Sequence, residues 1–268
     1  MVTTDRYISL DRYAVIRRFT GLGVLIAALC TYFLTMEPTA SYWDCPEYIA
    51  VATGMQPGHP PGNPVWMLAA RFFINFAPDA ASRALMVNAL SAVCAALAVW
   101  VLFLTIEWFA RRLVMPDSTG GRVLLYKALR SLGAAVTGAL ALCWSDSFWF
   151  SAVEAEVYAF SSLCTALIFW LSLLWYDRRR QPRSDRWLIL IIYLTGLSVG
   201  VHELNLLCLP AVAMVVLYGT YGRPGFWRLC GWMVGSMGCI AFALYGVIPG
   251  FMAIALRMEL LFVNDLSL

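Results

Sequence analysis

Seven apolar stretches, each near the length of a bilayer-spanning helix, set the main limit on what this chain can fold into. Crossing the hydrocarbon takes about 20 mainly apolar residues, with a range of about 17–25. The stretches lie roughly at Phe19–Met36, Ala84–Ala110, Ser131–Trp144, Val157–Tyr176, Trp187–Val201, Leu204–Tyr218 and Phe226–Ile248. As a single helix, Trp187 to Tyr218 would overshoot the bilayer and strand His202 and Glu203 in its middle, so two short spans turning at those residues are expected. Charged residues make up 13% of the 268, and hydrophobic residues 61%. Soluble domains carry about 25% charged residues, which excludes that class. The expected fold is an all-α integral membrane protein with about seven transmembrane helices in one domain over residues 1–268.

The breaks between spans carry charge of alternating sign. Arg6, Arg12, Arg17 and Arg18 precede the first span, and Arg111, Arg112, Arg122, Lys127 and Arg130 follow the second. Arg178, Arg179, Arg180, Arg183 and Arg186 follow the fourth, and Arg223 and Arg228 the sixth. Basic residues gather on the cytoplasmic side of multi-pass proteins, so these sixteen of nineteen imply an N-in, C-out topology. The other side holds Arg71, Arg83 and Arg257, both histidines and ten of the sixteen acids. All eight cysteines except Cys45 lie in apolar runs, with no Cys-x-x-Cys pair, so neither a disulfide framework nor a zinc site is expected. After Arg17-Arg18 the first apolar run is too long for a signal-peptide core and no small-residue cleavage site follows, so the first span is expected to be retained.

The first outer loop, Glu37 to Arg83, is more than a linker. Pro64–Ala77 is apolar but too short to span, which suits a helix lying in the membrane interface. Gly250–Val263 has apolar residues at helical spacing and suggests a second interfacial helix at the C-terminus. Trp43, Trp66, Trp144 and Trp149 fit an aromatic belt.

Four polar constellations stand on this outer side. In Asp44-x-x-Glu47, Asp44 as N-cap, Pro46 in the first turn and Glu47 at N3 would make a capping box for a helix running to about Met55. The same placement would fix Asp44 at a helix mouth as a general base toward a hydroxyl. Gly58-His59-Pro60-Pro61-Gly62 is either a rigid turn or a stiff corner presenting His59 beside Asp44. Glu154 and Glu156 either serve a helix N-terminus or face the Asp44 loop, there to orient a sugar hydroxyl or ligate a divalent metal. His202-Glu203-Leu204-Asn205 is either a satisfied interfacial turn or a set of groups facing a cavity.

Several segments recur together in one known family. They are Tyr-Trp-Asp-Cys-x-Glu (Tyr42 to Glu47), Gly-His-Pro-Pro-Gly (Gly58 to Gly62), Val-Asn-x-x-Ser (Val87 to Ser91), Ala-Glu-Val-Tyr (Ala155 to Tyr158), Gly-Val-His-x-x-Asn (Gly200 to Asn205) and Leu-Leu-Phe-Val-Asn-Asp-Leu (Leu260 to Leu266). In this order they resemble a family of bacterial and animal multi-pass proteins that includes an animal protein O-mannosyltransferase. Pro46 stands where the pattern has Gly, and Asn63 where a small residue is usual. The resemblance implies a C-type glycosyltransferase fold using a polyprenyl-phosphate-linked sugar, with the catalytic aspartate in the first outer loop. It carries the base role onto Asp44 and a supporting role onto Glu47, and matches His59, Glu156, Tyr158, His202 and Asn205. Members usually continue past the point where this chain stops, so the chain is expected to be the N-terminal part of a longer or split protein.

The functional expectation is a membrane glycosyltransferase moving a mannose-like sugar, with inversion, from a polyprenyl phosphate to a Ser or Thr hydroxyl of an exported protein. Catalysis falls to Asp44 and Glu47, and substrate binding to His59, Glu154, Glu156, Tyr158, His202, Asn205, Arg71 and Arg257, with the arginines offsetting the leaving phosphate. No cofactor and no metal ligand set is assigned, although a divalent metal is compatible with the acids. The partners are the lipid-linked sugar, the acceptor protein, the bilayer and a C-terminal or partner subunit, with no nucleic acid. The heavy excess of Arg over Lys points to a bacterial inner membrane, the site facing the periplasm. The alternative is a non-catalytic lipid-linked saccharide transporter or binding subunit, or a scaffold, which would use the same acids to grip sugar hydroxyls.

Overall fold

The structure is a computed structural model that describes residues 6–60, 62–115 and 121–266. Pro61 of the expected Pro-Pro corner lies outside the described residues. The order of elements is β1 (Tyr7–Ser9), α1 (Leu10–Thr35), α2 (Cys45–Gly54), α3 (Pro64–Ile74), α4 (Arg83–Val114), β2 (Arg122–Leu124), α5 (Leu125–Cys143), α6 (Asp146–Val153), α7 (Val157–Arg178) and α8 (Asp185–Val199). A 3-10 turn at Glu203–Cys208 leads into α9 (Leu209–Tyr221), followed by α10 (Phe226–Phe242) and α11 (Ile248–Leu260).

Five helical segments are long and apolar enough to cross a membrane, six if the bent pair α5 and α6 is one span. The protein is thus an all-α multi-pass membrane protein, and the differences from the sequence reading are local. The third apolar stretch forms α5, which begins earlier than expected and turns by 63° into α6. The fifth forms α8, only 15 residues long. The expected separation between the last span and a C-terminal interfacial helix is absent: Phe226–Asp265 runs as one 40-residue helix. Pro249 falls inside this helix, and the π-helical turn at Ala243–Val247 just ahead of it gives room for the proline ring where a regular α turn would clash; a second π-helical turn follows at Leu261–Asp265. A two-stranded antiparallel ribbon, with Ile8 opposite Val123, joins the chain ahead of α1 to the chain ahead of α5.

The chain divides into two compact units, Met1–Leu171 with Ile191–Asn205, and Ser172–Leu190 with Leu206–Leu268. In the first, α4 is the central helix, packed by α1, α3, α5 and α6. Hydrocarbon gives helices little hydrophobic reason to associate, so close van der Waals fit decides. Ala92, Ala95, Ala96 and Ala98 make one buried small-residue surface on α4. Gly138 of α5 comes so near that a Cβ there would lie 2.5 Å from Ile106. In the second unit α9 packs on α10, and the Arg179 Nε donates to the Gly219 carbonyl at 2.9 Å.

Two polar clusters mark opposite ends of α4. At one, the fully buried Glu107 accepts from Tyr13 (2.7 Å), Arg17 (3.3 Å) and Arg111 (3.1 Å), and Ser131 adjoins Tyr13. Glu107 lies inside an apolar run, and nothing in the sequence marks it. At the other end, Asn88 donates to the carbonyls of Glu37 (2.7 Å) and Thr39 (2.9 Å). At 1.5 Å per residue the two positions stand about 28 Å apart, close to the thickness of a bilayer core.

Candidate active site

The first wall of the site is α2. Pro46 suits a first helical turn and Glu47 suits a helix N-terminus, so the helix ends where the sequence predicts, at a left-handed Met55. The capping box does not form. Asp44 holds the N-cap position, but its carboxylate makes no capping bond. Glu47 is taken by His59 instead, whose backbone N–H donates at 2.7 Å and whose Nδ1 lies 3.1 Å from both carboxylate oxygens. The His59 backbone N–H first, then its ring, hold the Glu47 carboxyl below its ordinary pKa. Trp43, just ahead, adopts φ +59°, an uncommon conformation for a bulky residue, and its ring is 85% exposed.

Tyr48 sits one turn beyond Asp44, buried, its ring 4.9 Å from Trp66 and 5.8 Å from His59. Burial first, then the negative charge of Glu156 and Asp44, raises its phenol to about 12. Its hydroxyl donates to the Asn63 side-chain carbonyl at 3.1 Å, while the Asn63 amide donates to the Val201 carbonyl at 3.0 Å. The residue that departs from the family pattern thus ties α2 to the 200–202 turn.

The second wall is the junction of α6 and α7. Glu154 and Glu156 lie in a tight bend, the Glu156 N–H donating to the Glu154 carbonyl at 2.9 Å, and are 2% and 7% exposed. Glu156 accepts from the Val157 backbone N–H at the start of α7, so the helix-start reading is met in part. Burial is nevertheless the larger influence, and with the charges of Glu154 and Asp44 it pushes Glu156 up to about 7. Glu154 is raised by burial against a hydrogen bond from Ser41. A carboxyl that keeps its proton near neutrality can donate to a sugar oxygen or accept a proton.

The third wall is the turn after α8. The Gly200 carbonyl accepts from Val65 N at 2.8 Å, finishing the N-terminus of α3, and a Cβ on Gly200 would lie 2.5 Å from the Val65 side chain. His202 accepts from Leu204 N at 3.2 Å through Nδ1, and its ring lies 5.5 Å from that of Tyr158. Burial lowers its pKa against the pull of Glu203.

Asp44, Glu47, His59, Glu154, Glu156, Tyr158 and His202 therefore gather in one region of the first unit. Asn205 stands apart in kind: it is 1% exposed, accepts from Ser161 (2.5 Å) and Thr165 (3.1 Å), and donates to the Ser198 carbonyl (2.9 Å), so it anchors the turn. Arg71, on α3, donates to the Thr53 carbonyl at 3.0 Å near the end of α2. Arg257 is exposed on α11, in the second unit.

Holding these walls together are residues whose role the sequence does not announce. Trp66, expected in an aromatic belt, is fully buried and donates from Nε1 to the Glu156 carbonyl at 3.2 Å. Ser91 donates to the same carbonyl at 3.4 Å. Asn88, one turn earlier on α4, grips the start of the Asp44 loop. One stretch of α4 thus fixes both acid-bearing segments, which gives Val-Asn-x-x-Ser a physical meaning.

Residues 44–224, beginning at Asp44 itself, match the family described as protein O-mannosyl-transferase TMEM260 N-terminal domain. The chain belongs to that family. A curated relative, protein O-mannosyl-transferase tmem260 of Dictyostelium discoideum, is 23% identical over 220 residues. The alignment covers 77% of this chain and 24% of that relative, so the chain spans about a quarter of its relative's length. No solved structure matches the chain. The TMEM260 family match takes in Asp44, Glu47, His59, the Glu154–Glu156 segment and the His202 turn, and ends before α10.

Proposed function

We propose that the chain is the membrane-embedded N-terminal part of a protein O-mannosyltransferase, with Asp44 as its catalytic base. The observation that carries this reading is the exposed Asp44 carboxylate, which forgoes its helix cap and faces a wall of buried acids, beside a tyrosine and a histidine that suit sugar hydroxyls. In the proposed reaction Asp44 takes the proton of a Ser or Thr hydroxyl. The freed oxygen attacks the anomeric carbon from the face opposite the lipid phosphate, the bond from carbon to phosphate oxygen breaks, and its electron pair leaves with the phosphate. Configuration at the sugar inverts. Glu156 and Tyr158 hold sugar hydroxyls, His202 lies at their edge, and Glu47 fixes His59. Arg71, reaching from α3 to the end of α2, supplies positive charge toward the phosphate.

The donor is a polyprenyl-phosphate mannose, its chain running among apolar helices. A cavity of about 130 Å³ beside the 200–202 turn, lined by Val65, Phe160, Leu167, Leu197 and Val201, suits part of such a chain. On this reading the bent α5 and α6 pair and the short α8 also cross the membrane, beside the five long segments, for a total of seven spans. Arg17 and Arg111, at one end of α4, support a cytoplasmic position for that end. Asp44 then faces the periplasm of a bacterial inner membrane, in a C-type glycosyltransferase arrangement. The test is mannose transfer from polyprenyl-phosphate mannose to a Ser/Thr peptide by the parent protein. Asp44→Asn should lower the rate by at least about a hundredfold, and equal rates in parent and variant would end the proposal.

A further inference from the structure

We infer that Asp44, Glu47 and His59 form a divalent-cation site in the outer loop. Each offers one ligand atom, and the three atoms lie within 4.8 Å of one another. Two backbone features bring them together. Asp44 and Glu47 stand three residues apart across the first turn of α2, and His59 is drawn onto Glu47 by its own backbone N–H at 2.7 Å.

The set is mixed, one imidazole nitrogen with two carboxylates. That combination with open positions favours a first-row cation such as Mn²⁺, Fe²⁺ or Zn²⁺ over Ca²⁺, which prefers oxygen alone. Ligands held about 2.1–2.2 Å from one ion stand at most about 4.4 Å apart. The three atoms need to shift by at most a few tenths of an ångström, which the Glu47 and His59 side chains, 41% and 42% exposed, have room to do.

The charge pattern points the same way. The carboxylates of Asp44 and Glu47 approach each other with no arginine or lysine within ion-pair distance of either among the described residues. His59 contacts Glu47 through its backbone N–H and its ring. A cation would sit between the His59 Nδ1 and the two carboxylates. One oxygen of Asp44 in its coordination shell leaves the other for a hydroxyl. On the transferase reading, on which only this use depends, the open positions would meet the donor phosphate and offset its charge.

The experiment is an EPR titration of the chelator-stripped, full-length protein in detergent with Mn²⁺, and no sugar donor present. One bound Mn²⁺ per chain is expected, with ¹⁴N modulation from the His59 ring in its echo envelope. His59→Ala and Glu47→Gln should each weaken binding by at least about tenfold, while Asp79→Asn, an outer-loop acid engaged with Ser82, should leave it unchanged. The ¹⁴N signature needs no variant, so a misfolded substitution does not blunt the test. Failure to retain Mn²⁺ at millimolar concentration, or bound Mn²⁺ without nitrogen coupling, would overturn the inference. Because no donor is present, a negative result leaves the transferase reading standing, and an inactive protein leaves the cation site standing.

Discussion

Glu156 links stability to pH in a direction opposite to most surface acids. Its carboxyl is 7% exposed and pushed from 4.5 up to about 7, first by burial and then by the charges of Glu154 and Asp44. A group whose folded pKa is raised contributes stability below its unfolded pKa and loses it as pH climbs through the folded value. The loss therefore falls between pH 4.5 and 7 and levels off above. At 1.36 kcal/mol per pH unit the full rise is worth about 3 kcal/mol. Screening from the open side of the site reduces this to about 2 kcal/mol. For a chain of this size that is roughly 4–8 °C in thermal midpoint. Glu156→Gln keeps a carbonyl for the Val157 N–H and removes the ionisation. The variant should melt above the parent at pH 8, match it near pH 4.5, and lose transferase activity. Glu154, raised by the same burial, leaves a smaller slope of the same sign in the variant. Intrinsic-fluorescence melting from pH 4.5 to 8 is the assay. A parent midpoint flat across that range, or a variant that follows the parent slope in full, would refute the reasoning.

Two further substitutions separate the site from its supports. Asn88→Ala removes both bonds to the Glu37 and Thr39 carbonyls, which should cost about 1–3 kcal/mol and lower kcat while leaving KM for the lipid donor nearly unchanged, as steady-state kinetics would show. Glu107→Ala strips the partner of Tyr13, Arg17 and Arg111 at the far end of α4. It should cost about 3 kcal/mol, the low end for a broken buried pair because both arginines can turn toward water. The folded fraction, isolated by size exclusion, should keep the parental transfer rate.

Much of this architecture is legible in the sequence because an apolar run of bilayer length leaves a helix few alternatives. What escapes is short or cooperative. The 63° bend after Cys143 falls at Trp144-Ser145, where the sequence shows only the end of a span and gives no sign of the short helix α6 that follows at an angle. The ribbon of β1 and β2 is three residues a side, below any periodic signal. Pro249 and Gly250 read as a break, yet the helix continues through them because the π-turn at Ala243–Val247 absorbs the misfit. In the site, Asp44, Glu47 and His59 stand out as polar residues in an apolar chain, and they meet because the chain leaving α2 turns back over a separation of a dozen residues. Glu156 is visible as an acid but not as a buried one. Asn205 looks like a ligand-facing group because an amide near a membrane segment is unusual, whereas three neighbours engage it. Trp66 and Glu107 could not be placed, since burial of an indole or a carboxylate depends on partners 90 residues or more away in the chain.

The account stands on Asp44 facing the exterior while the arginine-rich breaks face the cytosol. The most direct measurement is labelling by a membrane-impermeant maleimide of Trp43→Cys, beside Asp44 and 85% exposed in the parent side chain, and of Arg180→Cys in the arginine-rich break. In intact cells the account predicts modification at position 43 and none at position 180 until the membrane is permeabilised. Protection at 43 with reaction at 180 would contradict it.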